Sequence, residues 1–305
     1  MDRSVGNNHG FKYTVGGGVL SEEQRRFYEV NGYVVIKNNV SEALIDEVSN
    51  RLVEICDGKV KGGLMRIVKD PSLKQKGVQG INSVHKVQDF LYDDILFKYA
   101  SDPAVTAVVT SIIGPNITGT HSMLLNKPPD ADPGSSLHPV HQDLHAFPFR
   151  PADRIVASWT AMEKIDRSNG GLYVVPGSHN LELQLHDYFE DFKNTLYFGV
   201  KGFDHLPKAY LEMEKGDTVF FHPLILHGSG PNFTKRFRKA ISCHYADSNC
   251  SFFDVKGTVQ ENVAVEIMDL LSKFGYSGNF IGYWKMKSRL IKGPPGNFQN
   301  FDSHL

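Results

Sequence analysis

The spacing of hydrophobic positions changes near residue 117 and divides the chain into a first part with helical periodicity and a second part of short alternating runs. The first part opens with a capping box, Ser21-x-x-Gln24, which predicts a short helix that ends at Gly32. The apolar run from Tyr33 to Ile36 is typical of a buried strand. The first part therefore mixes helices with at least one strand.

A second helix is predicted to begin at the Ser41 cap and to stop at Gly58. Its apolar positions recur at helical spacing and form one face, which consists of Leu44, Val48, Leu52 and Ile55. Residues 59–85 are rich in glycine and lysine and indicate a surface loop. We expect residues 1–20 to be a flexible N-terminal segment, because they are polar and glycine-rich.

The second part of the chain favours a β architecture. Short β-rich runs are predicted at residues 155–162, 172–175, 218–221 and 238–244. Many short strands joined by turns indicate a sandwich or a jelly roll. A late helix is predicted from a Thr258-x-x-Glu261 capping box to Gly275. Since no linker interrupts the pattern, we expect a single domain over residues 21–292 and an exposed tail over residues 293–305.

Composition narrows the class of protein. With 305 residues and 41% hydrophobic residues, one elaborated domain can bury a large core. The formal net charge of −1 argues against a nucleic-acid-binding protein or an electrostatic attraction to anionic membranes. Three scattered cysteines do not form a disulfide framework or a thiolate metal site, and they suit a reducing compartment.

The most informative chemistry lies in His141, Asp143 and His227. Two imidazoles and one carboxylate can occupy one face of an iron(II) ion and leave positions open for an oxidant and a co-substrate. His141 and Asp143 share one face if the chain is extended there, while Gln142 points away. A lone His-x-Asp pair among 13 histidines is usually without function, so the prediction depends on the combination with His227 and with the arginine that follows it.

That arginine is Arg238, which stands in the basic cluster 235–239. Such clusters are ordinarily solvated. Strand alternation, however, places Arg238 on one face with Ala240 and Ser242. A guanidinium among small neighbours can lie inward, where it needs an anionic partner such as the far carboxylate of a dicarboxylic acid. The other histidines, His244 among them, are interpreted as surface or hydrogen-bonded core residues.

Several longer stretches resemble the phytanoyl-CoA 2-hydroxylases, which are iron(II)/2-oxoglutarate-dependent oxygenases. These stretches are residues 138–145, 147–151, 213–223, 227–230, 237–244 and 254–258. The resemblance extends over residues 20–292 and implies a mainly β, double-stranded β-helix fold (a cupin-like jelly roll) with flanking α-helices. It also implies Fe(II) as the metal, 2-oxoglutarate and O2 as co-substrates and ascorbate as the reductant.

The reaction that the resemblance implies is the 2-hydroxylation of phytanoyl-CoA and related 3-methyl-branched acyl-CoAs, the first step of peroxisomal fatty acid α-oxidation, with succinate and CO2 as co-products. His141, Asp143 and His227 match the iron ligands, and Arg238 matches the clamp on 2-oxoglutarate. The other positions implied to contact this co-substrate are Lys86, Met123, His141, Gln142, Asp143, Trp159 and Ser229. No catalytic residue is expected beyond the metal site.

The last three residues, Ser303, His304 and Leu305, form a conservative variant of a peroxisomal address. We therefore expect recognition by a peroxisomal import receptor and a location in the peroxisomal matrix. Relatives in other organisms can carry an N-terminal presequence, and none is recognisable here. No apolar run approaches the roughly 18 residues that a membrane-spanning helix needs, so no membrane insertion is expected.

Two other functions remain open at the level of sequence. The chain can be an oxygenase of the same family with a different substrate, or a non-catalytic acyl-CoA-binding protein of the same fold. The intact set of His141, Asp143, His227 and Arg238 argues against the second, because degenerate copies typically lose a ligand. The residues that would bind the CoA phosphates, the acyl-chain preference and the oligomeric state do not follow from the sequence.

Overall fold

The computed structural model describes residues 10–69, 77–130, 136–188, 198–203 and 205–300. The helices in this part of the chain are α1 (Glu22–Asn31), α2 (Glu42–Cys56), α3 (Asp94–Ala100), α4 (Pro103–Ile113), α5 (Glu261–Lys273) and α6 (Phe280–Lys287). The strands are β1 (Tyr33–Ile36), β2 (Arg66–Lys69), β3 (Val84–Gln88), β4 (Ile117–Lys127), β5 (His138–His141), β6 (Phe149–Arg150), β7 (Ile155–Ala161), β8 (Leu172–Val174), β9 (Ala209–Tyr210), β10 (Thr218–Phe221), β11 (His227–Ser229), β12 (Arg238–Asp247), β13 (Ser251–Phe252) and β14 (Arg289–Lys292).

Two antiparallel sheets form the body of the protein. The larger sheet has the strand order β1-β10-β7-β12-β4-β3-β2, and β14 also pairs with β4. The smaller sheet has the order β5-β11-β8-β9, while β6 and β13 form a separate two-stranded ribbon. The prediction of a mainly β jelly roll with flanking helices is confirmed.

The outer face of the larger sheet is covered by helices. Leu52 of α2 and Val109 of α4 are fully buried in one apolar cluster with Leu124 of β4 and Ile241 of β12. Alternate residues of β12 therefore belong to this outer core, since side chains on a strand point to opposite faces in turn. Burial of this apolar surface is the main favourable term that holds the helices on the sheet.

The inner face of the larger sheet meets the smaller sheet. Trp159 of β7 and Val219 of β10 pack in a second apolar cluster with Leu172 and Val174 of β8. This cluster fills part of the space between the sheets, and a cavity lined by other inward-facing side chains occupies the rest. The two sheets thus hold the walls of the cavity in place.

At the two ends of the chain, the described residues make anchoring contacts that the sequence did not predict. Near the N-terminus, Tyr13 and Leu20 are buried, and the backbone N–H groups of Val15 and Gly16 donate to the Ser111 carbonyl. Near the C-terminus, Phe298 is buried in the apolar cluster that contains α5 and α6. Contacts with sequence-distant residues therefore anchor residues 10–20 and 293–300, while residues 1–9 and 301–305 lie outside the described part.

Local signals predicted the first helix better than the late one. Ser21 and Gln24 form the predicted capping box of α1, and Gly32 follows with a left-handed backbone. The Thr258-x-x-Glu261 box was wrong, because α5 begins after Gln260, which makes no side-chain cap, while the Thr258 hydroxyl donates to the Val255 carbonyl. The same hydroxyl accepts from the backbone N–H of Gln260 over 3.2 Å, so it stabilises the turn before α5 and not the first turn of the helix.

Residues 59–85 are not only a surface loop, because they contain β2 and the start of β3. These two strands extend the larger sheet next to β4. α3 and α4 were not predicted, although Asp102 caps α4 and Pro103 follows at its first position, which is a common helix start. Among the described residues, the helices are too short or too polar to cross a membrane.

Replacement of Leu52 by alanine should lower the free energy of unfolding by about 2–5 kcal/mol, because it leaves a cavity between α2 and the larger sheet. The matched control is Val53→Ala on the exposed side of the same helix, where 38% of the residue is accessible; that change should stay within about 0.5 kcal/mol. Urea unfolding at an unchanged slope measures both. Equal losses in the two variants would contradict the assignment of the buried face.

Candidate metal centre

The register between two short strands brings the two predicted histidine ligands together. β11 pairs with β5 so that His227 lies directly opposite His141. Side chains at paired positions of adjacent strands point to the same face of the sheet. Asp143 follows β5 at the start of a short 3₁₀ turn, Asp143–Ala146. All three side chains therefore enter the space between the two sheets.

One ligand atom from each of His141, Asp143 and His227 lies within 4.8 Å of the others. The Nε2 atom of His141 is 3.3 Å from Oδ1 of Asp143, and Nε2 of His227 is 3.5 Å from Oδ2. The other ring nitrogens are held by the backbone: Nδ1 of His141 is 2.9 Å from the Pro139 carbonyl oxygen, and Nδ1 of His227 is 3.0 Å from that of Ile225. Because a carbonyl can only accept, both Nδ1 atoms carry the proton and both Nε2 lone pairs are available to a metal.

The protonation states of the cluster favour metal binding. Burial and the neighbouring His141 lower the pKa of His227 to about 4, so this imidazole is neutral at pH 7. Burial alone would raise the pKa of Asp143, but His227 and His244 hold it well below its usual range. Two imidazoles that present Nε2, together with one carboxylate, are a donor set that suits iron(II).

His244 on β12 holds the carboxylate of the cluster. Its Nε2 atom donates to Oδ2 of Asp143 over 2.8 Å. This hydrogen bond orients the carboxylate and engages one lone pair of Oδ2, so that Oδ1 remains for a metal. His244 itself is buried and packs against Phe147 and Phe221, which fix the plane of its ring.

The triad opens into one cavity of about 310 Å³ between the sheets and α5 and α6. Eight of the residues implied by the family resemblance line it: Lys86, Met123, His141, Asp143, Trp159, His227, Ser229 and Arg238. Strand registers explain the convergence, since Met123 pairs with Ser242 and Ser242 with Trp159 across three adjacent strands of the larger sheet. Burial and the nearby Arg66 lower the pKa of Lys86 to about 8.

Gln142 is the one predicted co-substrate residue that the structure does not bring to the cavity. Its side-chain Nε2 donates to the Leu224 and Glu182 carbonyls, and its Oε1 accepts from the backbone N–H of Gln184. The side chain is fully buried behind the triad. Strand alternation is the physical reason, because Gln142 lies between two residues that face inward. Through these hydrogen bonds, Gln142 holds in place the segment that carries His141 and Asp143.

A group of positive charges lies on the cavity wall around Arg238. The guanidinium of Arg238 donates to the Gly170 carbonyl over 2.8 Å, and its carbon lies 5.4 Å from the Trp159 ring. Lys127, opposite Arg238 in the β-ladder, is buried and donates to the Ser229 hydroxyl over 2.7 Å. Burial, and then the charge of Arg238, lower the pKa of Lys127 well below its usual value. A carboxylate guest would offset the buried guanidinium charge and favour the protonated form of Lys127 beside it.

Lys127 and the role of His244 were not predicted from the sequence, although strand alternation carried a signal for both. Two further steps along β4 from Met123 lead through Leu125 to Lys127 on the same face. One further step along β12 from Ser242 leads to His244. The interpretation of the remaining histidines as bystanders was also incomplete, because four of them line the cavity: His121, His138, His145 and His244.

Comparison with known proteins places the chain in a family. The model of the phytanoyl-CoA dioxygenase (PhyH) family matches residues 28–240. The peroxisomal phytanoyl-CoA dioxygenase of Rattus norvegicus is 48% identical over 290 residues, which cover 93% of this chain and 86% of the relative. A probable phytanoyl-CoA dioxygenase of Caenorhabditis elegans is 46% identical and covers 93% of this chain and 97% of its own length.

Solved structures share the fold at low sequence identity. The epimerase SnoN, in complex with Fe3+ and alpha ketoglutarate, matches with a TM-score of 0.60 at 18% identity over 77% of this chain and 86% of its own. EctD from S. alaskensis, with 2-oxoglutarate and 5-hydroxyectoine, matches with a TM-score of 0.58 at 18% identity over 75% of this chain and 77% of its own.

The fold and the matched relatives assign the chain to the 2-oxoglutarate-dependent oxygenases. Within this class, the chain belongs to the phytanoyl-CoA dioxygenase family.

The buried histidines should make the metal-free protein less stable as the pH falls. Burial lowers the pKa of His121 to about 3, of His145, His179 and His227 to about 4, and of His186 to about 2. In the unfolded chain these groups take up protons near pH 6.5, so the unfolded state binds more protons below that pH. The stability present above pH 6.5 is therefore lost as the pH falls towards 4.

Urea unfolding in a chelating buffer at stepped pH measures this loss. The His145→Gln variant should show a shallower dependence, because the unfolded chain then gains one proton fewer. A stability that stays constant between pH 7 and pH 4.5 would contradict the burial of neutral imidazoles.

Proposed function

We propose that this protein catalyses the iron(II)- and 2-oxoglutarate-dependent 2-hydroxylation of phytanoyl-CoA and related 3-methyl-branched acyl-CoAs, with succinate and CO2 as co-products. The observation that carries the proposal is the cluster of His141, Asp143 and His227, whose ligand atoms lie within 4.8 Å of one another in a cavity that also contains Arg238. The names of the relatives at 46–48% identity support the substrate class.

In this proposal, Nε2 of His141, Nε2 of His227 and one carboxylate oxygen of Asp143 hold the iron. The bound iron and 2-oxoglutarate supply the oxidising chemistry that converts a C–H bond into C–OH. The protein positions the reactants and excludes water from them. His244 keeps the Asp143 carboxylate oriented through its hydrogen bond to Oδ2. Ascorbate acts as the reductant that keeps the iron in the ferrous state.

The co-substrate binds with its far carboxylate at Arg238. A guanidinium presents paired N–H donors that match a carboxylate, and Ser229 adds a hydroxyl that Lys127 orients by donating to it. Lys86 provides a further charge on the neighbouring strand β3. Trp159 and Met123 line the cavity with apolar surface and keep water away from the metal.

The apolar part of the cavity suits an acyl chain. Val263, Ile267 and Leu270 recur at helical spacing on α5 and line the cavity together with Phe198. Exposure increases along this stripe, from 4% at Val263 to 42% at Leu270. The stripe therefore leads from the metal cluster towards the surface, as a long hydrophobic substrate requires.

Replacement of Asp143 by alanine should abolish succinate formation that is triggered by acyl-CoA, because the metal loses its only carboxylate ligand among the described residues. Mn²⁺ affinity, measured by calorimetry, should fall by about 10- to 100-fold or more. Asp153→Ala is the matched control, since Asp153 contacts the bystander His222 outside the cavity. Retained succinate formation in a folded Asp143→Ala protein would refute the ligand assignment.

The same assay tests the substrate class. Iron-loaded wild-type protein should release succinate faster with phytanoyl-CoA than with a straight-chain acyl-CoA of equal length. An equal response would favour a different substrate within the family, and no turnover of 2-oxoglutarate with any acyl-CoA would favour a non-catalytic binding protein.

We further propose that the protein acts in the peroxisomal matrix and reaches it through a receptor that binds Ser303, His304 and Leu305. These residues lie outside the described part of the chain. The proposal is supported by their similarity to a peroxisomal address and by the word peroxisomal in the names of several relatives.

Removal of the last three residues should shift a fluorescent protein fused to the N-terminus from peroxisomes to the cytosol. The change leaves the described fold untouched, so the purified variant should keep its enzymatic activity. Punctate localisation that survives the deletion would exclude the tripeptide as the address.

A further inference from the structure

A group of polar side chains beside the triad has no role in the proposed binding of iron or 2-oxoglutarate. Arg66, His121, Tyr283 and Lys287 line the cavity, and Asp89 lies behind them. The side chains of Asp89 and Lys287 are each only 2% accessible. Burial of charged groups is costly unless they are paired and hydrogen-bonded. The presence of buried charges beside the metal cluster therefore indicates a functional role for this group.

Asp89 is the anchor of the group. Its carboxylate accepts hydrogen bonds from Lys287 Nζ over 2.8 Å, from Tyr283 Oη over 2.9 Å and from Arg66 Nε over 3.1 Å. Burial alone would raise the pKa of Asp89, but Lys287 and His121 hold it well below its usual range, so it remains ionised. The residue also has a left-handed backbone with φ of 61°, which is uncommon for a residue other than glycine and often marks a functional site.

The Lys287 ammonium keeps one donor for a guest. An ammonium has three N–H donors and no acceptor. Asp89 Oδ1 takes one at 2.8 Å, and Nδ1 of His121 takes another at 2.9 Å. No other described residue accepts a hydrogen bond from Lys287 Nζ, which lies 4.0 Å from the centre of the Trp284 ring. Lys287 and Trp284 both line the cavity, so a guest there can compete with the Trp284 ring for the third N–H.

His121 contributes a second donor. Nδ1 of His121 lies 2.9 Å from the Lys287 ammonium and 3.4 Å from Oδ1 of Asp89. Because the ammonium can only donate, the shorter contact makes Nδ1 the acceptor and places the ring proton on Nε2. Burial and Lys287 lower the pKa of His121 to about 3, so the ring is neutral and has one N–H. None of the described residues accepts a hydrogen bond from Nε2, and the ring lines the cavity. Lys287 and His121 thus present two N–H donors side by side.

Only the His244 ring lies between this donor pair and the metal cluster. The His121 ring is 5.8 Å from the His244 ring, centroid to centroid, and His244 in turn donates to Asp143. In an acyl-CoA, the carbonyl carbon of the thioester is bonded directly to C2, the carbon that the proposed reaction hydroxylates. When C2 lies at the metal, the thioester oxygen must lie close by, at a distance that this pair can reach.

We propose that Lys287 and His121 bind the thioester carbonyl oxygen of the acyl-CoA substrate and thereby direct C2 towards the metal. This inference rests on the proposed function and names the thioester carbonyl as the part of the substrate that these residues recognise. A carbonyl oxygen has two lone pairs and accepts both hydrogen bonds. The Lys287 ammonium is already paired with Asp89, which Arg66 also contacts over 3.1 Å, so a neutral acceptor is sufficient for the remaining donor. The pair therefore distinguishes a thioester from the free fatty acid.

The test compares an acyl-CoA with the corresponding S-alkyl-CoA thioether, in which a CH2 group replaces the carbonyl. Binding is measured by calorimetry to protein loaded with Mn²⁺ and 2-oxoglutarate. Wild-type protein should bind the thioester about 10- to 100-fold more tightly than the thioether, as expected for hydrogen bonds from a charged and a neutral donor. In Lys287→Met this preference should disappear, with thioether binding unchanged.

The matched control is Lys285→Met. Lys285 lies on the same helix α6 and is buried, but its ammonium donates to the Asn300 carbonyl and it does not line the cavity. Its thioester preference should equal that of the wild type. In turnover assays with iron, Lys287→Met should also form less hydroxylated product per succinate, because C2 is poorly placed, whereas Lys285→Met should keep the ratio.

Two His121 variants keep the inference testable if Lys287→Met does not fold. His121→Phe removes the Nε2 donor and should reduce the thioester preference, while His121→Gln restores an N–H donor and should recover part of it. An unchanged preference in both Lys287→Met and His121→Phe, or tighter binding of the free acid than of the thioester, would overturn the inference. Failure of wild-type protein to turn over 2-oxoglutarate with any acyl-CoA would instead refute the proposed function itself.

Discussion

The pairing of β11 with β5 is the constraint on which the rest of the site depends. It places His227 opposite His141, and a slip of one residue would turn one imidazole to the other side of the sheet. Gly228 protects this register, because a Cβ atom there would come within 2.8 Å of the His138 carbonyl oxygen and closer still to the Tyr173 hydroxyl. Only glycine, which has no Cβ atom, allows the backbone to approach these neighbours so closely at this position.

The larger sheet supplies most of the functional side chains around the metal cluster. β12 and β4 are long, and Arg238, Met123 and His244 on these strands line the cavity, while Lys127 of β4 lies behind Ser229 and donates to its hydroxyl. The helices on the outer face bury the alternate residues of the same strands. Because side chains alternate along each strand, one face of the sheet packs in the hydrophobic core and the other face lines the cavity with functional groups.

Charge is distributed unevenly along this wall. Arg238 and Lys127 are two buried basic residues beside Ser229, and this end suits one carboxylate of a dicarboxylate. At the group formed by Asp89, Lys287 and His121, a buried carboxylate balances the ammonium, and this part suits a neutral acceptor. A metal cluster near both can therefore receive two different guests, each directed by its own chemistry.

Short-range patterns in the sequence predicted the capping box of α1 and the inward direction of Arg238, whereas the metal triad was predicted from the combination of His141 and Asp143 with the distant His227 and from the family resemblance. The same alternation would have found Lys127 and His244 if it had been followed further along β4 and β12. Other features depend on contacts between distant residues, such as Asp89 with Lys287, or Phe298 with Phe149. No local pattern encodes such contacts, and for the same reason the packing of residues 10–20 and 293–300 was not predicted.

The most direct measurement is an anaerobic crystal structure with iron and 2-oxoglutarate, with the metal located by anomalous scattering. We expect one iron bonded to Nε2 of His141, Nε2 of His227 and one oxygen of Asp143, with the far carboxylate of 2-oxoglutarate at Arg238. Iron at a different group of residues, or 2-oxoglutarate without contact to Arg238, would contradict the account.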